Sequence, residues 1–541
     1  MGNKSTKSSF RNEINSLHEK GRKYQQECNY EQALIYFNKA IAQIKSKHHS
    51  SNRLYQLQYY IYFDMADSYK GQSQWKEANE WSQKAENLAE KLKDKIKIAE
   101  CIDRQGDIKL LRDDTDGALN DYKKSFKMKL KSLGMDSIEV SESYSNIGLA
   151  YSKQGKYDEA IAMYEKSLRF QLSIKGNDHL DVAELSHNIG DIYSKQGKYD
   201  EALSVLDKSF KAQLIKVGEN HPSISIFYDK FGGIYKHQGK YDDALSMYNK
   251  SLKIKLVQLG DNHPNIAISY HNIGLVCSNQ GKYDEALSML NKSLQIQLTR
   301  LEKDDLYIAT TYHNIGSVYE SQGKHDDALA MFHKSLEIQL TIFKDDHPSL
   351  ASTYNNIGEV YSYKHKYDDA LLMHSKSLKI QLAVLGNHHP DIAMSYNTIG
   401  LIYKHRYKYN DALTMLNKSL KIYLDFRGEN HPDVAMSYNN IGDVHRLRGN
   451  LTDALSMYSK SLQVCLATVG ENHANTAQLY RNQAEAYRQL SKYSQAISCL
   501  QKSVAILLNL YGEDHAQVVL DKQRIAQCHD QQRKLEEAAK P

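Results

Sequence analysis

The sequence predicts an all-α fold, an α-solenoid in which helical hairpins stack on one another. Three observations support this prediction. A small residue, usually glycine, recurs every 42 residues along most of the chain. Tyrosine occurs 39 times against 11 phenylalanines, which indicates one aromatic residue placed repeatedly at equivalent positions. The 541 residues include only 6 prolines, too few for turn-rich β-structure or for proline-rich linkers between several domains.

The repeat is anchored by a glycine in an N-I-G motif or a close variant of it. An alanine follows each anchor 12 residues later, as Ala286 follows Gly274. Because both residues are small, we expect two helices to cross closely at this pair, and a leucine at either position would overpack the crossing. One step beyond the last glycine, Ala484 takes the anchor position, and the anchor glycines are Gly148, Gly190, Gly232, Gly274, Gly316, Gly358, Gly400 and Gly442.

Each repeat carries two stretches with helical periodicity. In one repeat, the first stretch places side chains at i, i+3, i+4 and i+7 through Tyr270, Ile273, Gly274 and Cys277. A turn containing Gly281 follows, and a second helical stretch begins at Tyr283. These patterns predict a helical hairpin in every repeat, and no stretch shows the alternation that is typical of a β-strand.

A histidine and, in five repeats, a proline mark the junction between repeats. Proline favours the first turn of a helix, which is where Pro222, Pro264, Pro348, Pro390 and Pro432 are expected to lie. Successive junction histidines are one repeat apart, farther than the ligands of one metal ion can be. We therefore expect helix capping instead of metal binding from His179, His221, His263, His347, His389, His431, His473 and His515.

The register divides the chain into one array with short ends. Residues 14–140 hold three divergent repeats, and residues 141–515 hold nine regular repeats of 42 residues. Residues 516–541 are expected to form a capping helix and tail. Residues 1–13 are expected to be a flexible segment with a candidate lipid anchor.

The composition argues against several functional classes. The 70 Lys and Arg against 65 Asp and Glu give a net charge of +5, too balanced for a nucleic-acid surface. No stretch reaches the ~20 apolar residues of a membrane span. The 6 scattered cysteines form no C-x-x-C motif, which favours a reducing, cytoplasmic compartment. No nucleophile and base stand out from the repeat consensus, so we expect no catalytic site, cofactor, metal or small-molecule substrate.

The recurring tyrosine, glycine and alanine positions resemble the tetratricopeptide repeat, and the long unit with G-x-x-H-P resembles its kinesin-light-chain type. The resemblance covers residues 14–515. It implies a right-handed superhelix of about 12 hairpins whose first helices line a concave groove for a partner's peptide segment. An alternative is a cargo adaptor linked to microtubule motors. That function would need a heptad coiled coil ahead of the repeats, where the sequence has about 13 residues.

Asparagine recurs two residues before the anchor, on a helix face turned away from the tyrosine and glycine stripe. In the resembling family this asparagine points into the groove and bonds a partner's backbone; alternatively, it only ties neighbouring helices together. Lys230 and Thr398 interrupt the series. Basic residues such as Lys153 lie near the helix ends. They indicate either an acidic ligand or only a favourable interaction with the helix dipole. The asparagine ladder consists of Asn146, Asn188, Asn272, Asn314, Asn356, Asn440 and Asn482.

The first six residues, M-G-N-K-S-T, fit the N-myristoylation pattern, which makes Gly2 a candidate lipidation site. One acyl chain binds a membrane only weakly, so Lys4, Lys7 and Arg11 would have to add contact with anionic lipid. The sequence therefore predicts a non-enzymatic cytoplasmic scaffold that binds other proteins and is tethered peripherally to a membrane.

Overall fold

A computed structural model describes residues 2–26, 29–46, 51–72, 74–112, 114–176, 179–301, 305–343 and 347–538, without the side chains of residues 2–9 and 180. The chain divides into two compact parts, the N-terminal body Met1–Gly260 and the C-terminal body Asp261–Pro541. Within the described ranges, the backbone forms helices and turns but no strand. The all-α prediction is therefore confirmed.

In the N-terminal body, each odd-numbered helix is the first helix of a hairpin and each even-numbered helix is the second. The helices are α1 (Gly2–Gln26), α2 (Tyr30–Ser46), α3 (Asn52–Gly71), α4 (Trp75–Leu92), α5 (Lys95–Leu111), α6 (Thr115–Leu133), α7 (Ile138–Lys153), α8 (Tyr157–Lys175), α9 (Leu180–Lys195), α10 (Tyr199–Val217), α11 (Pro222–His237) and α12 (Tyr241–Leu259).

The C-terminal body continues the same alternation and ends on a single helix. Its helices are α13 (Pro264–Asn279), α14 (Tyr283–Arg300), α15 (Leu306–Ser321), α16 (His325–Ile342), α17 (Pro348–Tyr363), α18 (Tyr367–Leu385), α19 (Pro390–His405), α20 (Tyr409–Arg427), α21 (Pro432–Leu447), α22 (Leu451–Thr468), α23 (Ala474–Gln489), α24 (Tyr493–Tyr511) and α25 (Ala516–Ala538). Within this body, consecutive helices pack together, and first helices such as α21 and α23 also contact each other.

The anchor glycines let the two helices of a hairpin cross closely, as the sequence predicts. A Cβ placed on Gly274 would lie 2.8 Å from Cγ of Leu290 and 3.2 Å from the carbonyl oxygen of Ala286. The obstacle is therefore mainly the side chain 16 residues after the anchor, with the alanine carbonyl behind it. This covering position holds Tyr164, Leu206, Tyr248, Leu290, Phe332, His374, Leu416 and Tyr458 in the regular repeats with an anchor glycine.

The junction histidines cap the helices that follow them, which confirms the capping prediction. In all eight, ring Nδ1 accepts the backbone N–H two residues later at 3.1 to 3.3 Å. The turn between the two helices uses a left-handed residue, as at Gly281 with φ of 75°. Three repeats place a residue other than glycine there with positive φ, namely His365, Tyr407 and Ser491.

The tyrosine excess reflects two kinds of packing. Tyrosines in the covering position, such as Tyr458, are buried over an anchor glycine. Tyrosines four residues before the anchor are instead covered by a lysine of the second helix. In eight repeats this Nζ lies 5.2 to 5.6 Å from the ring centroid, a favourable cation–π arrangement that includes Lys292 over Tyr270.

The start of the chain differs from the expected flexible segment over residues 1–13, because α1 begins at Gly2. Ile14 is buried and Phe10, one turn earlier, packs against the same apolar cluster as Phe37. An apolar pair at this spacing stabilises the helix as far back as Phe10, ahead of its predicted start. None of the helices in the described ranges is both long and apolar enough to cross a membrane.

Candidate functional site

The structure separates the asparagine ladder into two groups, although all seven residues are half-buried on first helices. In the first group, the amide nitrogen donates to a side chain 43 residues earlier, on the first helix of the preceding repeat. The donor–acceptor distances are 2.9 Å for Asn314 to His271, 3.1 Å for Asn356 to His313, 2.9 Å for Asn440 to Asn397 and 2.7 Å for Asn482 to Asn439. These four hydrogen bonds tie neighbouring repeats together. They agree with the second alternative from the sequence, that the asparagines join neighbouring helices.

The second group consists of Asn146, Asn188 and Asn272, whose side chains make no hydrogen bond within the described parts of the chain. Asn146 and Asn188 line one cavity of about 230 Å³ between α7, α8 and α9, together with Glu142 and Glu184. We call it the α7–α9 cavity. Asn146 and Asn188 thus combine open amide groups with a shared concave surface.

The electrostatics of the α7–α9 cavity favour a cation. Its third carboxylate, Asp181, forms an ion pair with Lys175. Glu142 and Glu184 form no ion pair with any residue that the structure describes. Burial raises the pKa of the Glu142 carboxyl, while the charge of Lys129 opposes that shift. A basic side chain entering the cavity would therefore meet two carboxylates that form no ion pair within the described residues.

In two repeats a cation takes the position of the ladder asparagine, and it forms an ion pair with an acid of the preceding repeat. Lys230 Nζ lies 2.5 Å from Asp191 Oδ2, and Arg104 lies 2.6 Å from Asp67 in the divergent repeats. Asp191 directly follows the anchor Gly190, and Asp67 directly follows Ala66, which holds the equivalent position of its divergent repeat. Thr398 makes no side-chain hydrogen bond within the described ranges, so it interrupts the ladder without a replacement.

The basic residues near the helix ends do not form a uniformly positive surface. Lys153 and Lys195 are exposed. Arg446 Nε instead donates to the Tyr458 hydroxyl at 3.3 Å, and Arg488 makes two hydrogen bonds to Glu485. Two of these basic residues are thus already bonded to a tyrosine or an acid, so the helix ends do not indicate an acidic ligand.

Sequence reasoning missed the acceptors of the ladder, although their signal was present. His271, His313, Asn397 and Asn439 each directly precede the position of the asparagine in their own repeat. The relevant separation is therefore 43 residues, one more than the repeat length. Within the described ranges, no group of three or more His, Cys, Asp or Glu side chains could hold a metal ion.

The candidate lipidation site, Gly2, is the first residue of α1. The side chains of residues 2–9, including Lys4 and Lys7, lie outside the described part of the structure. The membrane contact predicted from this segment therefore stays a prediction.

Comparisons with known proteins identify similar sequences and structures. The family model described as tetratricopeptide repeat matches residues 139–214, 223–299, 307–383, 391–464 and 433–509. No curated protein matches the sequence. The crystal structure of BtubC (BKLC) from P. vanneervenii is similar, with 20% identity and a TM-score of 0.39 over 43% of this chain and 94% of that chain.

A second similar crystal structure is that of the Podosopora anserina putative kinesin light chain nearly identical TPR-like repeats. It has 19% identity and a TM-score of 0.34, and the match covers 38% of this chain and 98% of that chain. A variant of the same Podosopora anserina repeats has 20% identity and a TM-score of 0.34, over 38% of this chain and 97% of that chain.

Proposed function

Because the chain belongs to the tetratricopeptide repeat family, we propose that it is a non-enzymatic scaffold that binds peptide segments of other proteins along its first helices. The observation that carries this proposal is the α7–α9 cavity. There, Asn146 and Asn188 lack internal hydrogen-bond partners within the described ranges and lie beside the unpaired carboxylates of Glu142 and Glu184. A stacked repeat array provides an extended surface for binding of this kind.

The α7–α9 cavity contains groups that complement both the backbone and a basic side chain of a partner segment. Each asparagine amide offers a donor and an acceptor, so it can bond the C=O and the N–H of an extended backbone. A lysine or arginine can bond Glu142 or Glu184, and such charge-assisted hydrogen bonds are roughly twice as strong as neutral ones. We therefore expect the preferred segments to carry at least one basic residue.

The proposal is tested by selecting peptides from a random phage-displayed library on the full-length protein. A selected peptide is then synthesised, and its affinity is measured by fluorescence anisotropy. Combining Asn146→Ala with Asn188→Ala should weaken binding by about tenfold or more, which corresponds to ~1.4 kcal/mol. The melting temperature should change little, because neither side chain bonds another described residue.

The matched control combines Asn314→Ala with Asn356→Ala in the C-terminal body. These substitutions remove bonds between repeats, so they should lower stability by about 1 kcal/mol each and leave the peptide affinity unchanged. Failure to enrich any peptide would refute the binding proposal. If the Asn146 and Asn188 double variant binds the peptide as tightly as the wild type, the α7–α9 cavity is not the binding site.

Attachment to a membrane through Gly2 is the second part of this proposal, and the sequence motif supports it. Wild type co-expressed with N-myristoyltransferase should float with vesicles that contain anionic lipid, and Gly2→Ala should remain in the soluble fraction. Lys45→Ala, at the end of α2, is a charge control that keeps the acyl chain. If Gly2→Ala floats as well as the wild type, the tether is refuted while the peptide-binding proposal is unaffected.

A further inference from the structure

The last step of the ladder in the C-terminal body differs from those before it. Asn440 bonds Asn397, and Asn482 bonds Asn439, each across 43 residues of sequence. One repeat later, the same separation relates Arg481 on α23 to Arg524 on α25. Two guanidinium groups thus stand where the other steps have an amide donor and an acceptor. Because a guanidinium accepts no hydrogen bond, the two arginines cannot bond each other.

Both arginines line a cavity of about 310 Å³ between α23, α24 and α25. Among the described residues of its lining, Arg488 is the third cation and Glu485 is the only carboxylate. Glu485 is already held by Arg488 through hydrogen bonds of 2.6 and 2.9 Å. The positive charges of Arg481 and Arg524 are therefore not neutralised by the lining of this cavity, which we call the arginine cavity.

Arg481 is positioned by its neighbours but keeps one donor unused. Its Nη2 donates to Gln478, whose amide donates in turn to Asn482 at 2.8 Å. Its Nη1 is buried and has no hydrogen-bond partner among the described residues. Burial lowers the pKa of Arg481, the charge of Asp521 opposes this, and the charge of Arg524 adds to the lowering.

Asp521 is the acid nearest to this arrangement, but it is engaged elsewhere. It is buried, and its two carboxylate oxygens accept hydrogen bonds from Ser503 at 2.8 Å and from Gln517 at 3.2 Å. It also forms an ion pair with Arg524, whose Nη1 lies 3.8 Å from Asp521 Oδ1, too far for a hydrogen bond. Asp521 therefore leaves Nη1 of Arg481 without a hydrogen-bond partner among the described residues.

We propose that the arginine cavity binds an oxyanion, the carboxylate or phosphate group of a partner segment, between Arg481 and Arg524. The planar guanidinium fork matches both groups through paired hydrogen bonds. This inference deepens the proposed function. It rests on that proposal only for the claim that the oxyanion belongs to a partner segment, because residues of the first helix α23 line the cavity. Its test uses free ions and needs no partner, so failure of either idea can be recognised separately.

The test is isothermal titration calorimetry of the full-length protein with sodium phosphate and, separately, sodium acetate, at ionic strength held constant with sodium chloride. At least one ion should bind saturably to a single site. Tighter binding of phosphate identifies a phosphate group as the ligand, and equal or tighter binding of acetate identifies a carboxylate. Arg524→Gln should weaken this binding at least tenfold, whereas Arg533→Gln, an exposed arginine on the same helix, should not.

A second variant keeps the proposal testable through stability. Arg481→Asn combined with Arg524→Asn recreates the amide pair seen between Asn397 and Asn440. This double variant should melt at a higher temperature than the wild type in phosphate-free buffer and should bind neither ion. The proposal is overturned if the wild type binds neither ion, or if Arg524→Gln binds as tightly as the wild type.

Discussion

Two adjacent glycines in α11 allow a direct test of whether the close crossing of helices requires glycine. A Cβ on Gly232 would lie 2.9, 3.0 and 3.0 Å from three ring carbons of Tyr248, whereas a Cβ on Gly233 would meet only the Tyr248 hydroxyl, at 3.6 Å. Ordinary contacts between carbon atoms are about 3.5–4.0 Å. Alanine therefore fits at Gly233 and overlaps a buried ring at Gly232.

The expected magnitudes follow from two opposing effects. Alanine is about 1 kcal/mol more favourable than glycine inside a helix, and this gain applies to both positions. At Gly232 it is opposed by overpacking, which costs about 1–3 kcal/mol in a well-packed interior. Gly233→Ala should thus stabilise the protein by about 1 kcal/mol. Gly232→Ala should be less stable than Gly233→Ala by about 1–3 kcal/mol, since the shared helix propensity cancels in the comparison.

Both variants can be compared by urea unfolding followed by circular dichroism. Repeat arrays can unfold in segments, so hydrogen exchange of peptides from α11 and α12 should accompany the unfolding curves. Amides of α11 should exchange faster in Gly232→Ala and more slowly in Gly233→Ala than in the wild type. If Gly232→Ala proves as stable as Gly233→Ala, the glycine is not required by the crossing and the packing argument is wrong.

Three further predictions have defined outcomes in urea unfolding. Ser491→Gly relieves a φ of 57° and should stabilise by about 1 kcal/mol; a lower midpoint would contradict the strain argument. Lys129→Met leaves buried Asp103 without the Nζ that lies 2.6 Å away, costing about 3–5 kcal/mol, and adding Asp103→Leu should recover most of it. Burial lowers the pKa of His374 from 6.5 to about 4, so the unfolded chain binds more protons in that range and stability falls as the pH falls. His374→Phe, which copies Phe332 in the equivalent position, should flatten this dependence; an unchanged slope would exclude His374 as its source.

The hairpins and their ends were predictable because they depend on short sequence separations. Apolar spacing of three and four residues fixes each helix, and in α13 a histidine followed by proline marks the start and Gly281 follows the end. The start of α1 was harder to predict, because Phe10 becomes informative only once its contact with a distant apolar cluster is known. The covering position 16 residues after the anchor was also missed, since its residues vary between tyrosine, leucine, phenylalanine and histidine.

The asparagine ladder shows where sequence reasoning reached its limit. Its seven members occupy the same position in their repeats, and the sequence left open whether they bind a partner or tie helices together. The structure gives Asn440 an acceptor on the preceding repeat, whereas Asn146 lines a cavity without one among the described residues. The difference depends on the residue 43 positions earlier, which is Asn397 in one case and the ion-paired Asp103 in the other.

The sequence by itself determined the repeat, its length, the hairpin and the residues that cap it, because each of these follows from spacing along the chain. Only the tertiary structure decided which amide groups are used internally and which face a cavity. It also brought Arg481 and Arg524 together in one cavity, at a place where earlier repeats pair two asparagines. Hydrogen bonds and charges between repeats depend on contacts across neighbouring helices, and those contacts exist only after the hairpins have stacked.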